Sequence, residues 1–125
     1  MKVTVGSKAG YCYGVRRAVE MTLRETEKEG PLYTAGPIIH NKQVICELER
    51  RGAHAAASCG EVADGSRVVI RAHGLPTADI EAFRAKGCRL IDATCPNVAQ
   101  IHRIVERESA AGRRVLIIGK HGHPE

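Results

Sequence analysis

Six residues carry side chains that ligate metals, hold anions or move protons, and they stand at one kind of place along the chain: Cys12, His40, His73, Cys95, His123 and Glu125. Each follows a short run of strand-like residues, at the turn into the next element, where open α/β sheets gather their ligands. A thiol just ahead of a helix meets unpaired first-turn amides and the positive end of the helix dipole. Both favour the thiolate, the form that binds metal or attacks as a nucleophile. Thr94-Cys95-Pro96 is the clearest case, because proline suits the first helical position. A protonated histidine donates two hydrogen bonds to a phosphate, and a neutral one binds metal. Glu125, close to His123, is placed to relay a proton.

Each of these residues also has a plainer reading. A single cysteine before a helix is often only a small packed residue. His73 beside Gly74 can satisfy loop amides, His40 can assist a cap through Asn41, and His123-Pro124-Glu125 alone is a turn. What favours chemistry is the shared position, above all the repeat of strand, cysteine and helix at Cys12 and Cys95. His102 lies at helical spacing from Val98 and Val105 and reads as packed. Cys46 falls opposite the apolar stripe of its helix, so it reads as an exposed thiol, and Cys59 and Cys88 read as incidental. Gly6 to Gly10 has neither the Walker nor the dinucleotide spacing.

The elements that must position these groups alternate. Strands are expected over 2–5, 32–35, 54–56, 67–72, 89–91 and 114–118, and helices over 14–29, 76–86 and 96–111, with another capped by Asn41 and ending at Arg51. Such alternation implies βαβ crossovers, hence an α/β fold with a mainly parallel sheet and flanking helices. At 125 residues the chain fits one small domain with its own core.

The five cysteines form neither an even framework nor a Cys-x-x-Cys pair, which argues against disulfides and a zinc ribbon. No apolar stretch is long enough to span a bilayer, and the start lacks the hydrophobic region of an export signal, so the expectation is a cytoplasmic protein without membrane contact. A net charge of +5 favours anionic partners: a phosphorylated metabolite, an acidic electron donor or nucleic acid. With no tryptophan and few aromatics to stack on bases, nucleic acid is the weakest of these.

Five segments carry a resemblance: Gly10-Tyr11-Cys12-Tyr13-Gly14-Val15, Gly36-Pro37-Ile38-Ile39-His40-Asn41, Ala72-His73-Gly74, Asp92-Ala93-Thr94-Cys95-Pro96 and Gly122-His123-Pro124-Glu125. In this order and spacing they resemble the beginning of the 4-hydroxy-3-methylbut-2-enyl diphosphate reductases of the methylerythritol phosphate route to isoprenoids. The resemblance implies an iron-sulfur oxidoreductase with a 4Fe-4S cluster on three cysteines, of which Cys12 and Cys95 match two. It implies that His40, His73 and His123 contact the substrate around its diphosphate, and that Glu125 donates a proton in a two-electron reductive dehydroxylation. The products would be isopentenyl and dimethylallyl diphosphate, and the electron donor an acidic protein such as ferredoxin or flavodoxin.

The same resemblance implies a longer, three-lobed enzyme whose third cysteine lies beyond residue 125. Residues 1–13 then read as a first strand and cluster loop that pair with another lobe, 14–95 as the first complete lobe, and 96–125 as the start of a second. On this reading the chain is an N-terminal part, inactive alone. The alternatives are a zinc hydrolase using His121, His123, Glu125 and a cysteine, or a non-catalytic phosphate or nucleic-acid binding module.

Overall fold

The computed structural model describes residues 1–7 and 9–120. The elements follow in the order α1 (Tyr13–Thr26), β1 (Leu32–Ala35), α2 (Lys42–Arg50), β2 (Ala53–Ala56), a 3-10 turn (Cys59–Glu61), β3 (Arg67–Ile70), α3 (Thr77–Ala85), β4 (Arg89–Asp92) and α4 (Pro96–Ala110). The four strands form one sheet in the order β2-β1-β3-β4, and every neighbouring pair is parallel. The fold is α/β, as the alternation of elements requires.

Both faces of the sheet are covered. Val68 and Val69 are adjacent on β3, so their side chains leave opposite faces, yet both are fully buried. Val69 joins Leu32, Ala53, Ala18 of α1 and Leu48 of α2; Val68 joins Ala35, Ala56, Val62 and Phe83 of α3. The helix faces expected from spacing are the ones that pack: Ala18 and Thr22 of α1 are buried, with Val15 and Val19 against the core.

α1 stops at Thr26, three residues before the expected end, and Arg67 gathers the carbonyls at and just past that end. From the first position of β3 its guanidinium donates to the carbonyls of Glu25 (2.6 Å), Lys28 (2.8 Å) and Gly30 (2.9 Å) and to the Glu25 carboxylate (3.0 Å). The turn that leaves the helix thus gains donors from across the core, beside the Lys28 N–H that also reaches the Glu25 carbonyl (3.3 Å). Lys28 pairs with the same carboxylate from the solvent side.

Two expected strands are corrected. Residues 2–5 and 114–118 form no strand, although both are rich in β-branched residues. A strand exists only where an edge pairs with it, and neither segment has a strand partner among the described residues. Their side chains lie in solvent accordingly, with Val3 at 74% and Ile118 at 90% exposure. Cys12 therefore follows an unpaired segment instead of a strand.

Removing the Arg67 side chain (Arg67→Ala) leaves the Glu25 carboxylate to Lys28 alone and takes a donor from three carbonyls. In urea titrations it should cost roughly 3 kcal/mol. Glu25 titrates below the usual carboxylate value, through its hydrogen bond to Lys28 foremost and that to Arg67 next, with burial opposing. The stability it contributes is complete above the ordinary carboxylate pKa and is lost as pH falls through the lowered native value. Below about pH 4, wild type should therefore lose more stability than Glu25→Gln in parallel melts.

Candidate functional site

The strand order reverses between β1 and β3. From β1 the chain moves to β2 on one side, and β3 then returns on the other, so the loops leaving β1 and β3 diverge beyond the carboxyl ends. In open α/β sheets that crevice is where ligands sit. His40 lies on the first of these loops and His73 on the second, and their rings come within 5.6 Å, centroid to centroid, tilted by 40°.

The loop bearing His40 is held on both sides. Ile38 and Ile39 are buried in the core, and the Asn41 side-chain oxygen accepts from the Val44 N–H (3.2 Å), capping α2. His40 is exposed between these anchors, while His73 is half-buried. One residue before His73, the Ala72 carbonyl accepts from the Cys95 N–H (2.8 Å). The histidine pair is thereby tied by backbone to the second cysteine.

Cys12 and Cys95 are the N-cap residues of α1 and α4, and neither side chain caps its own helix. Each carbonyl starts its helix, accepting from Arg16 (3.0 Å) and Ala99 (2.9 Å) respectively. The two sites are therefore locally alike, as the repeated pattern suggested. They also adjoin: a Cβ built on Gly14, two residues past Cys12, would lie 2.5 Å from the Cys95 sulfur. From the next turn of α1, Arg17 donates to the carbonyls of Thr94 (3.1 Å) and Asp92 (3.4 Å). The Asp92 carboxylate accepts from the Thr94 N–H (2.9 Å), which folds the loop ahead of Cys95.

A permanent cation completes this edge. The half-buried Arg71 reaches Gly36 at the end of β1, its Nη1 3.3 Å from where a Cβ on that glycine would sit. It also lines a cavity of about 530 Å³ with His73 and His102, facing Leu75, Ile101 and Val105. Such a cavity, lined by Arg71, the Glu106 carboxylate and an apolar wall, is of ligand size. His102 is half-buried, as its spacing suggested, and rests on Gly74, where an added Cβ would lie 2.9 Å from its Cε1.

Cys46 is exposed, as expected from its place on α2, whereas Cys88 is a buried core residue and Cys59 packs against the same cluster. His123 and Glu125, with His121, lie outside the described residues. Among the described residues no three His, Cys, Asp or Glu side chains converge enough to hold a metal ion, and no helix is long and apolar enough to cross a membrane. Gly14, Arg17 and Arg71 escaped the sequence reading. For Gly14 a signal existed, since glycine in a first helical turn costs stability and marks close approach by another group.

The family described as LytB protein matches residues 3–125. A 4-hydroxy-3-methylbut-2-enyl diphosphate reductase from Geobacter metallireducens is 38% identical over all of this chain and 44% of its own length. One from Nitratidesulfovibrio vulgaris is 42% identical over all of this chain and 45% of its own. The chain thus spans a little under half the length of these relatives. The solved structure of the Plasmodium falciparum E-1-hydroxy-2-methyl-but-2-enyl-4-diphosphate reductase superposes with a TM-score of 0.89 at 31% identity, covering 94% of this chain and 37% of that one. A second, described as the terminal enzyme of the non-mevalonate pathway, gives 0.85 at 38% identity, over 98% and 43%.

Gly74 has φ of 81°, and its missing side chain makes room for His102. Gly74→Ala should therefore destabilise by about 1–3 kcal/mol through backbone strain alone. It should also move the His73 and His102 ring resonances in proton NMR, whereas Gly52→Ala, with open space at its Cβ, should leave them in place.

Proposed function

The chain belongs to the LytB protein family, and on that premise we propose that it carries one side of the active site for reductive dehydroxylation of 4-hydroxy-3-methylbut-2-enyl diphosphate. Two electrons and two protons enter, the C–O bond to the hydroxyl breaks, water leaves, and isopentenyl and dimethylallyl diphosphate result. The observation that carries the reading is the approach of Cys95 to Gly14, two residues past Cys12, with both cysteines at helix N-caps and a histidine pair at the strand-order reversal.

The donor set fits an iron-sulfur cluster in part. Cys12 and Cys95 are free thiols, with first-turn amides of α1 and α4 behind them, and thiolates are the ligands such clusters take. They would hold two of its irons, with the remaining ligand supplied from outside these 125 residues. When bound, the cluster supplies electrons and an open iron that polarises the hydroxyl oxygen. His40 and His73 donate to the diphosphate oxygens through ring N–H groups, and Arg71 adds a guanidinium charge. By the family resemblance His123 is a third diphosphate contact, and Glu125 delivers a proton to the leaving hydroxyl. The net charge of +5 favours docking of an acidic electron donor. Because the relatives are more than twice as long, turnover needs the further length that they carry.

The test is anaerobic purification of the protein as its gene encodes it. Iron and sulfide should be present, and the diphosphate substrate should be reduced by a dithionite-reduced dye. Cys12→Ser and Cys95→Ser should each remove the cluster absorbance and the activity. Stoichiometric zinc without iron or sulfide would refute the proposal.

A further inference from the structure

The sequence places a glycine in the first turn of α1, where no backbone requirement explains it. Gly14 is helical and is absent from the glycines with positive φ. Alanine would therefore suit its backbone and favour the helix by about 1 kcal/mol. The obstacle is Cys95 alone: a Cβ at position 14 would lie 2.5 Å from its sulfur, 2.8 Å from its Cβ and 3.7 Å from its Cα. The first two distances are shorter than packed atoms tolerate.

Neither partner can step aside cheaply. The Cys95 amide is bound to the Ala72 carbonyl, Pro96 begins α4 directly after it, and the loop before it is folded by Asp92. α1 is fixed at its far end by Arg67. Arg17 ties the two together through the Thr94 and Asp92 carbonyls.

We propose that Gly14 and Arg17 are positioning residues that set the Cys95 thiol relative to Cys12 and so determine how an iron-sulfur cluster is held. This rests on the reading of both cysteines as cluster ligands. Gly14 acts by having no side chain, which lets the sulfur lie against the first turn of α1. Arg17 acts by fixing the loop that delivers it. Neither touches substrate.

The experiment compares wild type, Gly14→Ala, Arg17→Gln, Arg17→Lys and, as a control on an exposed arginine of the same helix, Arg16→Gln. Each is purified anaerobically as the full gene product and assayed for iron and sulfide, for resistance of the cluster to a chelator, for the electron paramagnetic resonance spectrum after reduction, and for melting. Changes around metal ligands weaken metal retention by about 10-fold or more. Gly14→Ala should show a loss of that size and an altered spectrum, with melting lowered, because crowding against Cys95 outweighs the gain in helix propensity. Arg17→Gln should change in the same direction, Arg17→Lys should recover part of the loss, and Arg16→Gln should match wild type. Wild-type retention and spectra in Gly14→Ala and Arg17→Gln would overturn the proposal, as would lowered melting with an unchanged spectrum. If Gly14→Ala does not fold, the Arg17 pair decides by the same criteria. A wild-type protein without a cluster would instead refute the reading of the cysteines as ligands, a result distinct from a loaded wild type with unaffected variants.

Discussion

α1 has almost no freedom to slide along the sheet, and the arrangement of the site depends on that. At its C-terminal end Arg67 takes up three carbonyls and one carboxylate from inside the core. A buried guanidinium is tolerable only because nearly every donor finds an acceptor. At its N-terminal end the helix backbone touches the Cys95 side chain, with no methyl between them. A shift of one residue would move the helix about 1.5 Å along its axis, enough to break both attachments. Thr22 and Ala18, both fully buried, seat the middle of the helix on the core.

From this fixed helix a short series of backbone bonds runs through the candidate site. Cys12 caps α1; Arg17 on α1 holds the Thr94 carbonyl; Cys95 follows and binds the Ala72 carbonyl; His73 is next along, with His40 against it. Few of these links involve two side chains. Backbone groups hold position with less conformational entropy to lose than long side chains, so a site built on them is already ordered before a ligand arrives. The small residues in the motifs fit this picture. Ala72 and Ala93 are buried at 5% and 0% exposure where the β3 and β4 loops meet, a spacing that larger side chains would widen.

The legible parts of the fold were those encoded locally. The stripe Val44, Ile45 and Leu48 with Asn41 ahead of it specified α2 and its cap, and the β-branched run at 67–70 specified β3. Segments 2–5 and 114–118 have the same local character and form no strand, because pairing is a property of the neighbouring chain and not of the segment. In the site, the placement of both cysteines at helix starts was legible, since alternating elements put such turns at one edge. The contact of Gly14 with Cys95 was not. It exists only because β4 is laid beside β3 and α1 crosses above them, a relation between residues some eighty positions apart. The bond from Arg67 to the end of α1 was hidden for the same reason, and so was the reach of Arg71 to Gly36.

Cys95 marks a change in how the chain is packed. Before it, the central strands β1 and β3 are covered on two faces; after it, α4 buries only Val98, and Ile101, Ile104, Leu116, Ile117 and Ile118 remain exposed. Cys12 lies at the corresponding limit, between the exposed segment of Val3 and Val5 and the buried face of α1. Both cysteines therefore sit where a covered lobe meets bare apolar surface. On the proposed function, reduction of a hydroxylated diphosphate at a cluster would demand a site from which water is largely excluded, because field strength and control of protons both fall when solvent enters. On that reading Arg67, Gly14 and Arg17 would hold the floor of such a site rigid, and His40, His73 and Arg71 would line one edge of it. The lobe does not supply a roof: among the described residues nothing shields Cys12. The apolar surface beside the cysteines has the right location and chemistry for the elements that would close the site over them.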